Sequence, residues 1–224
     1  MVELSSGEKQ FIQRILAEQC MTKARAQEFW SRLAQKGKIE ADNLDESLKK
    51  CNTQLQLAGM AIVGIPFSLP SPKDDDNDEE NANAPPTMYL ALVDKHRPAM
   101  GDDEAPSATK IAFVKSSLGG PIAVNHRRAV LQHLVEHTTA SRADLINLKN
   151  TLKDNSNYTL DMAETCVNSM FRDHWIVSVS GGGKRRQSMH AKAALGPRTF
   201  LELSDLLLDQ FDMDRDQLPQ QIFY

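Results

Sequence analysis

The sequence contains few cysteines, no long apolar run and no signal-peptide pattern. Its three cysteines, Cys20, Cys51 and Cys166, form no Cys-x-x-Cys pair, which argues against disulfide bonds and zinc ligation and favours reduced, buried thiols. No segment approaches the ~18 consecutive apolar residues of a membrane helix, and the N-terminus lacks the basic and then apolar pattern of a secretory signal. We therefore expect an intracellular protein with no membrane partner.

The composition is that of an ordinary globular protein. Of the 224 residues, 41% are hydrophobic and 25% are charged, which argues against wholesale disorder and against a coiled coil. This length fits two domains of roughly 100 residues each. The net charge of -4 is misleading as an average, because the acidic runs at 73–80 and 102–104 leave the rest of the chain mildly basic. Such a body permits contact with nucleic acid without requiring it.

The first half of the chain shows the pattern of three helices followed by two strands. Apolar residues recur at helical spacing after each of three candidate N-caps. The N-cap residues are Ser5 or Ser6, Thr22 and Asn43. Strand-like segments follow at 60–69 and 88–94, and the tract between them is rich in Pro, Asp and Asn, with too few apolar residues to fold.

The second half repeats this order without repeating the residues. A helix is predicted at about 122–137, and two further helices follow their own capping residues. These caps are Ser141, with Asp144 completing a capping box, and Thr159. Trp175–Val179 then begins a hairpin whose turn contains three glycines, and Leu195–Arg198 opens a leucine-rich helix.

Three helices and a wing, twice over, predict a mainly α protein with small β wings, that is, tandem winged-helix domains. The predicted segments are domain A (1–95, with a disordered acidic wing loop at about 70–86), a linker (96–109), domain B (110–212) and a tail (213–224).

One motif carries the spacing of a metal site. His133-Leu134-Val135-Glu136-His137 matches the inverted zinc-protease motif His-x-x-Glu-His, and His126 lies on the same predicted helix stripe. A catalytic zinc needs a third ligand from elsewhere, and no partner motif marks one. We therefore favour a solvated helix edge and predict no metal site, no cofactor and no catalytic residue in these 224 residues. The metalloprotease interpretation is kept as an alternative.

Basic residues near the second wing support a different alternative, a nonspecific DNA-binding regulator. The candidate phosphate contacts are Arg127, Arg128, Lys184, Arg185 and Arg186. The glycines before Lys184 do not have the spacing of a phosphate-binding loop. Both predicted recognition helices lack net positive charge, so sequence-specific readout by them is not expected. Winged helices of this kind commonly dock proteins, and we single out as partner-binding candidates Phe29, Trp30, Tyr89, Leu206, Leu207, Phe211 and Phe223.

The order of these parts resembles a known family. Leu195-Gly196-Pro197-Arg198-Thr199-Phe200-Leu201-Glu202-Leu203 after a basic wing is similar to the first non-SMC element of the SMC five/six complex. Tyr89–Val93 and Phe171–Ile176 extend the resemblance, which spans about 8–215. Each motif is short and degenerate, so the ordered set carries the identification.

The resemblance implies a function and a set of partners. Members of this family pair with a MAGE-type winged-helix subunit and a kleisin subunit, and act with the SMC ATPases on chromatin in the nucleus, in DNA repair and recombination. Contact with DNA is then expected through the complex. The family also has a zinc-binding RING-like domain that underlies ubiquitin-ligase activity. Its cysteines are expected after Tyr224, so we expect this sequence to be a piece of a longer protein; the alternative is a member that lacks the domain.

Overall fold

The structure is a computed structural model, and it describes residues 3–39, 43–70, 85–95, 120–153, 157–179 and 191–224. The chain divides into two compact units. The first comprises Met1–Phe67, Pro86–Thr109 and Pro219–Tyr224, and the second comprises Ser68–Pro85 and Lys110–Leu218. The predicted acidic wing loop and linker lie almost wholly outside the described residues.

Three helices build the first unit, and each begins at a predicted N-cap. They are α1 (Ser6–Glu18), α2 (Lys23–Gln35) and α3 (Leu44–Leu55). Ser5 and Glu8 form a reciprocal capping box, and the side chains of Thr22 and Asn43 each accept a backbone N–H of the following turn. The caps satisfy amide groups that the first helical turn leaves without partners, so the local sequence alone determines where these helices begin.

The first unit also contains a four-stranded antiparallel sheet of order β1-β3-β2-β7. Its strands are β1 (Cys20–Thr22), β2 (Met60–Phe67), β3 (Thr87–Asp94) and β7 (Ile222–Phe223); strands β4 to β6 belong to the second unit. The wing is the long hairpin β2–β3, whose register pairs Met60 with Asp94 and Phe67 with Thr87. The helices pack on the sheet around a core that includes Phe11, Ile15, Trp30, Leu48, Ile62 and Leu90.

The second unit has the same plan. Its helices are α4 (Gly120–His137), α5 (Arg142–Asn147), α6 (Leu160–Arg172), α7 (Pro197–Glu202) and α8 (Ser204–Gln210). A capping box between Ser141 and Asp144 starts α5, and Thr159 caps α6, both as predicted. A small antiparallel sheet of order β4-β6-β5 completes the unit. Its strands are β4 (Ala140–Ser141), β5 (Ile176–Ser178) and β6 (Lys192–Leu195).

The leucine-rich segment after Leu195 corrects one sequence prediction. We predicted a single helix, but the backbone of Leu203 leaves the helical region, with φ -119° and ψ 19°, and separates α7 from α8. The break allows Leu203, Leu207 and Phe211 to enter the same core as Trp175. Leu207 and Phe211, which we predicted to be partner-binding residues, are therefore buried within the unit.

The architecture is that of tandem winged-helix domains, mainly helical with small antiparallel sheets, as the sequence predicted. Among the described residues, none of the helices combines the length and the apolar character needed to cross a membrane.

Candidate docking surface

The C-terminal strand β7 forms one edge of the sheet in the first unit. Phe223 lies opposite Val63 and Ile222 lies opposite Gly64, in antiparallel register. We predicted that 213–224 forms a tail leading to a RING-like domain, and the structure includes Pro219–Tyr224 in the first unit. Edge strands offer unpaired backbone groups and outward side chains to other chains, so this strand is a candidate docking surface.

Gly64 provides the space in which the end of the chain packs. A Cβ atom on Gly64 would lie 3.1 Å from Cε2 of Tyr224 and 3.2 Å from Cδ2 of Leu90, closer than ordinary van der Waals contact. The tyrosine ring therefore covers β2 at a point where a side chain is absent. The sequence signal, an isolated glycine within a strand, is a known mark of close approach by another group.

The buried side chain of Asn52 ties this strand to the helix layer. Its amide nitrogen donates to the carbonyl oxygens of Ile62, at 2.9 Å, and Tyr224, at 2.8 Å. Its carbonyl oxygen accepts the backbone N–H of Ile62 at 2.7 Å. One side chain on α3 thus satisfies backbone groups of both β2 and the tail. A buried amide that makes three such bonds stabilises the position of the tail as well as the sheet.

Replacement of Asn52 by alanine should destabilise the first unit by about 1–3 kcal/mol, because buried backbone groups of Ile62 and Tyr224 lose their partner. We expect hydrogen–deuterium exchange in β2 and the tail to speed up, with the second unit unchanged. The matched control is Thr53→Ala on the exposed side of α3, which should change stability by less than about 0.5 kcal/mol. Equal exchange in the two variants would contradict the bridging role of Asn52.

A cation also holds the tail. Nζ of Lys23 lies 5.3 Å from the ring centroid of Tyr224 and 2.7 Å from Oδ1 of Asp45. A phenol is protonated at neutral pH, and burial raises the pKa of Tyr224 further. The contact is therefore one between a cation and a neutral aromatic ring.

Both side chains of β7 are apolar and exposed, and they point to opposite faces of the strand. The side chain of Phe223 is 57% exposed, and Ile222 is 37% exposed. Nζ of Lys95 lies 4.5 Å from the centroid of the Phe223 ring. We call these three residues the tail edge. An exposed aromatic ring beside a cation, carried on an edge strand, provides both apolar contact area and a charge for recognition of a partner.

The motif Leu195–Arg198, by contrast, makes contacts within the second unit. The guanidinium carbon of Arg198 lies 4.2 Å from the centroid of the Trp175 ring, and its Nε donates to Oε1 of Glu202 at 2.7 Å. Gly196 donates its backbone N–H to the carbonyl of Trp175 at 2.8 Å. Burial raises the pKa of Glu202, although Arg198 opposes the shift. The arginine is buried, so this motif fixes the start of α7 and offers no charge to a ligand.

No family model and no curated protein matches this chain by sequence. Among solved structures, a chain of an "Nse1-Nse3-Nse4 complex" matches with a TM-score of 0.62 and 16% sequence identity, over 95% of this chain and 77% of that chain. The two chains share a fold. At this identity the match does not distinguish between the subunits of that complex.

Three of the seven apolar candidates lie in a core and are corrected here. Trp30 is buried edge-on against Phe11, with ring centroids 5.0 Å apart, while Leu207 and Phe211 pack in the core of the second unit. Charged substitutions at these positions would unfold a domain and would not report on docking. Phe29, Tyr89 and Leu206 are half-buried. Phe223 is the most exposed of the seven candidates.

The predicted DNA contacts also include both a buried and an exposed side chain. Arg127 is 1% exposed and its guanidinium donates to Oγ of Ser169 at 2.8 Å, so it is not available to a phosphate and we remove it from the set. Arg128 is exposed, with its guanidinium carbon 5.8 Å from the Phe211 ring centroid. Lys184, Arg185 and Arg186 lie outside the described residues. A buried arginine and an exposed one look alike in sequence, which explains the error at Arg127.

Proposed function

We propose that this protein is a scaffold subunit of an SMC five/six type complex, acting on chromatin in DNA repair and recombination in the nucleus. The observation that carries the proposal is the shared tandem winged-helix fold, over 95% of this chain, with a chain of an Nse1-Nse3-Nse4 complex. Its partners would be a MAGE-type winged-helix subunit and a kleisin subunit, and through them the SMC ATPases. Fold alone does not imply function, so the motifs must supply the rest.

Among the possible subunits, we propose the first non-SMC element. The resemblance of Tyr89–Val93 and Leu195–Leu203 to that family supports this choice. The first segment lies in β3, and the second runs from the end of β6 through α7 to Leu203. The zinc-binding RING-like domain and ubiquitin-ligase activity of the family are part of this proposal. The three cysteines described here are buried free thiols, and burial raises the pKa of Cys51 to about 12. They do not provide a RING-type ligand set, so the zinc would be held by other residues.

The tail edge is our proposed contact for the MAGE-type partner. Its exposed Phe223 offers an aromatic ring with the positive charge of Lys95 beside it, and Ile222 adds apolar area on the other face of the strand. Aromatic residues at the centre of an interface commonly carry a large share of the binding free energy. A partner surface with an apolar pocket bordered by carboxylates would complement this arrangement.

Replacement of Phe223 by aspartate should weaken binding of a MAGE-type subunit by about tenfold or more, because a charge would replace the apolar anchor. The matched control is Leu160→Asp, which puts the same charge on a similarly exposed leucine (53%) of the second unit. We expect both variants to fold and only Phe223→Asp to lose the partner in pull-down and calorimetric titrations.

Two outcomes would count against different parts of the proposal. If the unaltered chain does not bind a MAGE-type subunit at all, the scaffold function is wrong. If it binds and Phe223→Asp binds equally well, the function stands and the tail edge is not the contact. The DNA-binding alternative would require a steep salt dependence of DNA affinity that is lost when Lys184, Arg185 and Arg186 are neutralised. Its predicted contact at Arg127 is already removed by burial.

A further inference from the structure

The last two turns of α4 bring together three side chains that can ligate a metal ion. One ligand atom each of His133, Glu136 and His137 lies within 4.8 Å of the others. The spacing explains the cluster, because residues three and four positions apart lie on neighbouring points of one helix face. The imidazole rings of the two histidines stack with centroids 4.2 Å apart and an interplanar angle of 26°. His126, which we had placed on the same stripe, is instead fully buried.

A backbone hydrogen bond fixes the protonation pattern of one ring. Nδ1 of His137 lies 3.0 Å from the carbonyl oxygen of His133. A carbonyl oxygen only accepts, so Nδ1 carries the proton, and Nε2 of the neutral ring keeps the lone pair that a metal requires. Metal-binding histidines generally have such an outer partner, which orients the ring and increases its basicity. The ring of His137 is thus prepared as a ligand by the helix itself.

The carboxylate of Glu136 is also oriented. Nε2 of Gln132 donates to its Oε1 at 3.1 Å, across one turn of α4. This bond leaves the second carboxylate oxygen for another interaction. The histidines border a surface pocket of about 460 Å³ that Asp144 and Asn147 also line. The cluster therefore has an approach from solvent, with a further carboxylate nearby to favour a cation.

We propose that His133, Glu136 and His137 form a Zn²⁺ site, with water as the fourth ligand. Two imidazole nitrogens and one carboxylate oxygen are a donor set that suits zinc and other late divalent transition metals. This departs from our sequence prediction of a plain helix edge. It is independent of any RING-like domain, whose zinc would be held chiefly by thiolates. The site binds the ion at the surface of the second unit and requires no catalysis.

The test is calorimetric titration of the full chain with ZnCl₂ in the presence of a non-chelating phosphine reductant. We expect one equivalent of zinc to bind, and both His133→Gln and His137→Gln to weaken the apparent affinity by about tenfold or more. His174→Gln is the matched control, because it removes one imidazole that is not part of the cluster and should leave the affinity unchanged. Since His137 is exposed, its variant should fold normally, which circular dichroism without metal can verify.

Cobalt substitution distinguishes this site from binding by cysteine. Co²⁺ at His133, Glu136 and His137 should give visible absorption without the intense near-ultraviolet band of a cobalt–thiolate bond. A thiolate band would place the metal on a cysteine and overturn the proposal. It would also be overturned if the double variant His133→Gln with His137→Gln bound zinc as tightly as the unaltered chain, or if the unaltered chain bound none.

Discussion

Gly196→Ala is expected to destabilise the second unit by about 3 kcal/mol, at the upper end of ordinary overpacking effects. An added Cβ would overlap the carbonyl oxygen of His174 and lie 2.9 Å from the carbonyl carbon of Trp175. Both neighbours are backbone atoms, so no side-chain rotation relieves the contact. The backbone hydrogen bond between Gly196 and Trp175 would have to lengthen, which would separate α7 from the wing.

The matched control for this variant is Gly120→Ala in the same unit. Gly120 has a positive φ of 71° and nothing within 4 Å of the added Cβ, so only its backbone conformation opposes a side chain. That penalty is about 1–2 kcal/mol. Urea unfolding followed by hydrogen exchange, which resolves the two units, measures both variants. If Gly196→Ala lowers the free energy of unfolding no more than Gly120→Ala does, the close backbone approach at Gly196 is unimportant.

Arg198→Met is expected to destabilise the second unit by about 3–5 kcal/mol, because it leaves the buried carboxylate of Glu202 without its cation. The side chains of the pair are 3% and 9% exposed, so water compensates little. The variant also loses the contact between the guanidinium and the Trp175 ring. Most of the loss should be recovered in the double variant Arg198→Met with Glu202→Gln, which removes the uncompensated charge.

The loss of unfolding free energy in the single variant Arg198→Met should also depend on pH. Burial raises the pKa of Glu202 in the folded state, so the folded protein holds this proton at pH values where the unfolded chain has released it. Stability from this group therefore falls as pH rises through the window between the two pKa values. Without Arg198 the pKa of folded-state Glu202 should rise further, so this pH window extends to higher pH. Unfolding measured at acidic pH should therefore show a smaller loss of stability in Arg198→Met than unfolding measured at neutral pH. A deficit that grows on acidification would contradict this account.

Local features were predictable from the sequence, and non-local ones were not. The caps at Thr22, Asn43 and Thr159 were predicted because a hydroxyl or amide side chain satisfies nearby amides whatever the rest of the fold does. The pairing of Ile222 with Gly64 joins segments far apart in the chain, and no local pattern encodes it. The break at Leu203 was missed for a similar reason, since burial in the core determines it.

The candidate site shows the same limit. Periodicity placed Leu207 and Phe211 on one apolar helix face. It could not show whether that face is buried, because burial depends on the break in the helix at Leu203. For His133 and His137 the spacing was visible in the sequence, but the contact between Nδ1 of His137 and the carbonyl oxygen of His133 was not.

The strand that Asn52 and Gly64 hold in place gives the chain an interleaved order. The first unit begins with α1 and is completed by β7, so the second unit is an insertion within it. During synthesis, the second unit can therefore fold while the first still lacks an edge strand. A fragment cut at the sequence boundary after the second unit would leave that unit whole and damage the first. The same holds for a fusion that displaces Tyr224, so partner-binding experiments should keep the tail intact.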